Sequence, residues 1–212
     1  MEIIEQTHGP SINEGHLGGF SLGGDGGTYY PIMWKYLIET FNIKSTIDVG
    51  CGRGYASKFF KSLGCSVLGV DGANQAKELF LLDKQTEFIQ QDFSKGPLII
   101  DRKFDLAWTC EFVEHVEEEY IPNFMACISS AKYLVMTFAT PGQGGHHHVN
   151  ENTADYWISK MKEFGFSFDS EVTQQLREKA ILDAEERRKN PNCPFFISHF
   201  SERGLFFKND SN

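Results

Sequence analysis

Two features of the chain predict an α/β fold built on a mostly parallel sheet. From Ser45 onward, short apolar runs alternate with amphipathic stretches, the pattern of a parallel sheet covered by helices on both faces. Early in that alternation, Ile47-Asp48-Val49 runs into Gly50-Cys51-Gly52-Arg53-Gly54. A buried strand there breaks into alternating glycines before a helix. Only glycine allows so sharp a turn and so close an approach of the backbone to a ligand.

The elements follow in order. Residues 1–30 are glycine-rich and polar, and read as an irregular arm or lid ahead of a single domain over 31–212. Pro31 suits the first turn of a helix whose face carries Ile32, Leu37, Ile38 and Phe41. Tyr29, Tyr30 and Trp34 stand where they can close over a ligand or pack that helix. Ala56, Phe59, Phe60 and Leu63 make a helical stripe stopped by Gly64. Strands are predicted at 66–70, 87–91, 104–109 and 133–138, with a helix bearing Phe124, Met125 and Ile128 between the last two. Asn152 can cap a helix with the stripe Trp157, Ile158, Met161 and Phe164, ended by Gly165. Phe166 to Phe168 reads as a strand. A charged helix from Glu171 to Lys189, stopped by Pro191, reads as an insertion over 170–192 before a last strand at 204–208.

The bulk numbers exclude some classes of function. A net charge of −9 argues against broad nucleic-acid binding, which normally leaves a basic face. Five cysteines, an odd number without paired spacing, read as reduced thiols. No apolar run is long enough to span a bilayer, and no signal peptide opens the chain. A cytoplasmic protein with a small-molecule substrate and no membrane partner is expected; the sequence leaves its oligomeric state open.

The strand tips carry the chemistry. Asp48, just before the glycine turn, disfavours a pyrophosphate there. The third glycine falls one position early for a dinucleotide fingerprint, with Tyr55 in its place. Val67-Leu68-Gly69-Val70-Asp71-Gly72 ends in an acid able to accept hydrogen bonds from ribose hydroxyls. Asp92 can accept from an adenine amino group, and Phe93 can cover the ring. Together these residues suit a nucleoside with a cationic or neutral tail. After the fourth strand, Cys110-Glu111-Phe112-Val113-Glu114-His115 puts two acids and an imidazole at i, i+3 and i+4, one face of a helical turn. After the fifth comes Gly144-Gly145-His146-His147-His148 at the same sheet edge. Such a cluster can ligate a metal, perform acid–base work without one, or simply pack.

In this order the motifs resemble the class I S-adenosylmethionine-dependent methyltransferases over roughly residues 28–168: DVGCGRG the first, VLGVD the second, QQDF the third and Phe104-Asp105-Leu106-Ala107-Trp108 the fourth. The resemblance implies a Rossmann-like, seven-stranded, mostly parallel sheet closed by an antiparallel last strand. It also implies S-adenosylmethionine as cofactor, bordered by Asp48, Gly50, Cys51, Gly52, Gly54, Asp71, Gly72, Asp92, Phe93 and Cys110. The E-x-x-E-H turn with a later histidine is similar to that of metal-dependent O-methyltransferases, among them the plant small-RNA 2′-O-methyltransferases and the ubiquinone-biosynthesis enzymes. It implies Glu111, Glu114, His115 and His147 as ligands of a divalent metal (Mn, Fe, Zn or Mg), with His148 the alternative fourth ligand. His115, His148 and Glu111 are the candidate catalytic groups. The implied activity is O-methylation of a small hydroxyl-bearing acceptor, sugar-like or phenolic. The alternatives are metal-independent N- or O-methylation, or a non-catalytic S-adenosylmethionine-binding module.

Overall fold

The structure is a computed structural model that describes residues 15–17, 26–189 and 199–211. Most of the expected arm over 1–30 lies outside the described residues; within it, Gly15–Leu17 and Gly26–Thr28 form short 3-10 turns. Seven strands make one sheet: β1 (Ser45–Val49), β2 (Ser66–Asp71), β3 (Phe88–Gln90), β4 (Phe104–Thr109), β5 (Ala131–Met136), β6 (Phe166–Phe168) and β7 (Leu205–Asn209). Their order is β3-β2-β1-β4-β5-β7-β6. All pairings from β3 to β5 are parallel, and β7 lies antiparallel between β5 and β6. The fold class is the expected one. The chain leaves β1 toward one edge and returns at β4 on its other side, so the tips of β1, β2 and β4 meet at the switch point where open α/β sheets bind ligands.

Among the described residues, seven α-helices cover the sheet: α1 (Pro31–Phe41), α2 (Tyr55–Ser62), α3 (Asn74–Leu79), α4 (Ile121–Ile128), α5 (Ala154–Glu163), α6 (Ser170–Arg188) and α7 (His199–Arg203). Alternation along the strands divides the core. Leu134, Met136, Leu205 and Phe207 face α4 and α5, where Phe124, Met125, Trp157 and Met161 are buried. Val135, Phe206, Leu106 and Trp108 face the other side, against Trp34, Leu37, Phe60, Leu176 and Phe200. This period of two follows from successive side chains of a strand pointing to opposite faces.

Three local expectations change. Thr153, not Asn152, caps α5, its hydroxyl accepting from the Tyr156 amide at 3.2 Å. β5 begins two residues early because Ala131 registers against Phe104. Tyr30 and Trp34 are fully buried in the core rather than closing over a ligand: Trp34 meets Trp108 edge-on at 5.5 Å and Phe60 at 5.8 Å. The inserted helix α6 braces the same region. Its Asp183 carboxylate accepts from the Ile32 and Met33 amides, at 2.9 and 3.1 Å, and so caps α1 from outside.

Trp34→Ala removes the centre of this aromatic cluster. It is expected to cost about 3–5 kcal/mol in denaturant unfolding and to leave ligand affinity at the β1 tip unchanged in the protein that remains folded.

Candidate active site at the tips of β1, β2 and β4

The turn after β1 is built from backbone. Gly50, Gly52 and Gly54 take φ values of 74°, 52° and 80°, the left-handed region that favours glycine. Space forbids a side chain as well: a Cβ at Gly50 would stand 2.6 Å from the Phe112 ring, and one at Gly54 2.3 Å from Phe80. The Gly50 amide donates to the Val70 carbonyl at 2.8 Å, joining the loop to β2. Asp71, at the tip of β2, accepts from the Gly52 amide at 2.8 Å and from the Ala73 amide at 2.9 Å. The carboxylate read from sequence as the sugar-binding group therefore lies directly beside the glycine loop.

The other residues expected around a nucleoside divide. Asp48 is buried beneath the loop and accepts from the Ser57 amide and hydroxyl, at 3.2 and 2.7 Å, pinning the first turn of α2. Burial pushes its carboxyl up to about 7, against the pull of the Ser57 hydrogen bonds. Cys51 lies under Gly69, and burial together with the Asp48 and Asp71 carboxylates pushes its thiol well above the usual range. Cys110 is partly buried, its sulfur 3.7 Å from the Thr137 hydroxyl. Gly72 is covered by Leu17, 2.8 Å from where a Cβ would sit. Asp92 is engaged by His16 and Lys95, both at 2.9 Å, and by Ser94. Burial opposes its ionisation, but these hydrogen bonds outweigh it and hold the carboxyl well below the usual range. Phe93 is buried edge-on to Phe112 and Phe124.

The second constellation differs from the helical face read from sequence. Glu111 takes φ 52°, and only a single 3-10 turn follows, Val113–His115. The i, i+3, i+4 geometry of an α-helix is therefore absent, and Glu111 parts from Glu114. Its amide donates to the Thr137 hydroxyl at 2.7 Å, that hydroxyl lies 2.9 Å from Glu111 Oε1, and Oε2 lies 3.2 Å from His199 Nδ1. Among the described residues, Glu114, His115 and His148 form a metal-competent group, one ligand atom of each lying within 4.8 Å of the others. His148 thus occupies the place first assigned to His147. His147, at φ 54°, offers its backbone carbonyl to His115 Nδ1 at 3.3 Å. The reason is the stitching of the loop after β5: the Val149 and Asn150 amides donate to the Glu114 carbonyl, at 2.9 and 3.1 Å, and this sets which histidine faces the acid.

Glu114 is fully buried, and neither carboxylate oxygen has a hydrogen-bond partner among the described residues. Burial, then the nearby Glu111 charge, raises its pKa well above the carboxylate range. An acid so placed must hold a proton or face a cation. Both imidazoles are oriented from behind, His115 by the His147 carbonyl and His148 Nδ1 by Glu151 Oε1 at 3.1 Å, as the outer contacts of metal-bound histidines usually are. Burial, then His148, lowers His115 to about 4, which keeps its ring neutral and its lone pair available. The donor set and its outer contacts fit a divalent ion.

Residues 47–131 match the family described as a methyltransferase domain. The stretch contains the glycine loop, Asp71, Asp92 and the Glu111–His115 turn. The match covers under half of the chain. The chain is 29% identical over 106 residues to a ubiquinone biosynthesis O-methyltransferase of Pelagibacter ubique, covering 42% of this chain and 44% of that protein. It is 26% identical over 157 residues to the mitochondrial ubiquinone biosynthesis O-methyltransferase of Arabidopsis thaliana, covering 66% and 47%. It therefore spans less than half the length of these curated relatives. Among solved structures, magnesium protoporphyrin IX methyltransferase from Synechocystis PCC 6803 with bound S-adenosylmethionine superposes with a TM-score of 0.54 at 18% identity, covering 89% of this chain and 88% of that one. The fold is that of the S-adenosylmethionine-dependent methyltransferases. No helix among the described residues is long and apolar enough to cross a membrane.

One group beside these residues was missed by the sequence reading. His199, on α7, lies 3.2 Å from Glu111 and 2.9 Å from Arg203. It stands in no motif of its own; its partner is far away in the chain and is reached only when α7 folds over β4.

Asp48 gives the protein a testable pH signature. An acid whose folded-state pKa lies above its unfolded value takes up a proton on folding, so its contribution is greatest at low pH and declines as the pH rises through about 7. Asp48→Asn is expected to gain stability relative to the wild type between pH 4 and pH 8, by up to about 4 kcal/mol, in urea unfolding measured across that range.

Proposed function

We propose that the protein is an S-adenosylmethionine-dependent O-methyltransferase acting on a small hydroxyl-bearing acceptor, sugar-like or phenolic, with a divalent cation held by Glu114, His115 and His148. The observation that carries this reading is the buried Glu114 carboxylate, unpartnered and grouped with two back-supported imidazoles at the crevice edge. The glycine loop and Asp71 supply the cofactor side: amides close to the cofactor tail and a carboxylate for the ribose. The O-methyltransferase names of the curated relatives favour oxygen over nitrogen as acceptor.

Transfer of a methyl group from a sulfonium is an in-line displacement, and holding nucleophile, carbon and sulfur nearly collinear supplies much of the rate. The rigid glycine loop fixes one end of that line. The loop after β5 and the Glu111–His115 turn border the other. When bound, a divalent ion supplies Lewis acidity, lowering the pKa of a coordinated hydroxyl. Two imidazoles and one carboxylate suit manganese, iron or zinc better than magnesium, which prefers oxygen.

Calorimetry with S-adenosylhomocysteine and manganese separates the two halves of the site. The wild type is expected to bind both. Asp71→Asn is expected to weaken S-adenosylhomocysteine about 10- to 100-fold, with manganese unaffected. Glu114→Gln and His148→Ala are expected to lose manganese and keep S-adenosylhomocysteine, whereas His147→Ala, which retains its backbone carbonyl, keeps both. A wild type that ignores S-adenosylhomocysteine at millimolar concentration would refute the reading.

A further inference from the structure

Building on the reading of the glycine loop and Asp71 as the cofactor side, we propose that Leu17 is a binding residue for the cofactor's nucleobase, and that His16 positions it by gripping Asp92. Three observations converge on the Gly15–Leu17 turn. The first is place. Leu17 meets Gly72, the residue directly after Asp71, and His16 meets Asp92, two residues beyond the end of β3. The two strand tips are joined there: Asp71 registers with Gln90, and the Gln91 amide donates to the Asp71 carbonyl at 2.9 Å. The turn therefore lies across the tips of β2 and β3, on the far side of β1 from the Glu114 group that follows β4. With the cofactor tail at the glycine loop of β1 and the sugar at Asp71 of β2, the base comes next along the sheet, at these same tips.

The second is the space around Gly72. A Cβ there would stand 2.8 Å from Leu17 Cδ2, 3.4 Å from Cδ1 and 3.2 Å from the Gln91 carbonyl. The backbone alone does not call for glycine, since Gly72 lacks the left-handed φ of Gly50, Gly52 and Gly54. The Leu17 methyls fill the volume that a side chain at position 72 would fill. The arm thus supplies, from outside, the apolar group that the strand tip lacks. A flat heteroaromatic base gains from such a contact by losing water-exposed surface. Gly72 itself is held: its carbonyl accepts from Gln90 Nε2 at 3.3 Å, and the same nitrogen donates to Asn74 Oδ1 at 2.7 Å.

The third is how Asp92 is used. Its Oδ1 accepts from the Ser94 amide at 3.0 Å and the Ser94 hydroxyl at 2.6 Å. Its Oδ2 accepts from the Lys95 ammonium and from His16 Nε2, both at 2.9 Å. A carboxylate offers about four lone-pair sites and only accepts, so both oxygens are engaged and His16 Nε2 carries a hydrogen. Asp92 serves the arm here, rather than an adenine amino group. The side chains of His16 and Asp92 are 50% and 10% exposed. An ion pair so open adds little to stability, so the grip releases and re-forms readily as ligands exchange.

The test is calorimetry on the full chain with S-adenosylhomocysteine, adenosine and manganese, alongside urea unfolding. Leu17→Ala is expected to weaken S-adenosylhomocysteine and adenosine by the same factor, about 5- to 30-fold, with manganese affinity and the unfolding midpoint unchanged. Leu17→Met is expected to restore most of the affinity. His16→Ala is expected to weaken both nucleosides about 3-fold and to add nothing further in a Leu17→Ala background, because it acts through Leu17. Unchanged binding of S-adenosylhomocysteine by Leu17→Ala would overturn the assignment. Tighter binding would also overturn it, showing that the turn obstructs the site instead of lining it, as would a loss seen with S-adenosylhomocysteine but not with adenosine. A His16→Ala loss that adds in full to that of Leu17→Ala would remove His16 from its part. A wild type that binds neither nucleoside would instead overturn the cofactor reading on which the proposal rests.

Discussion

The site depends on one steric fact: the loop after β1 has no side chains where aromatic rings press on it. Phe112 reaches Gly50 and Phe80 reaches Gly54 at distances that exclude even a methyl group. The contact with Phe112 ties the loop to the turn after β4, so the glycine loop and the Glu111–Glu114 turn share one wall. Asp71 completes the clamp from β2 by accepting the Gly52 amide. A loop held from three sides needs little ordering when a ligand arrives, which limits the entropic cost of binding.

The two acids of the E-x-x-E-H turn then take different environments. Glu114 goes into the protein with its oxygens unsatisfied; Glu111 stays at the mouth with Thr137 and His199. The left-handed residue at 111 separates them. Their like charges still oppose each other, since the Glu111 carboxylate adds to burial in raising the Glu114 pKa. The division gives one carboxylate an environment that calls for a cation and the other an imidazole.

Residues with short-range causes were legible in the sequence. The glycine spacing identified the β1 loop, and the apolar runs ending in Asp71 and Asp92 placed those acids at strand tips, because both signals lie within a few residues. Glu111 was legible as a residue but not as a geometry: nothing local marks a glutamate that adopts positive φ, since Thr137, just past the end of β5, holds it there. The choice between His147 and His148 had the same character, being settled by amides of the following residues docking on the Glu114 carbonyl. Trp34 illustrates the converse. The sequence left it open whether Trp34 closes over a ligand or packs its helix, because the aromatic neighbours that bury it come from β4 and α2. His199 had no legible role, because its carboxylate partner belongs to another part of the chain.

The Asp183 cap on α1 bears on how the chain assembles during synthesis. The first helix borrows its terminating acceptor from a residue about 150 positions later, and Arg187 of the same distant helix donates to the Tyr29 carbonyl. β7 must also slip between β5 and β6, after both have been made. The capping of the first helix and the placing of β7 therefore both wait for partners far apart in the chain, and contacts of such long sequence separation make for slow folding.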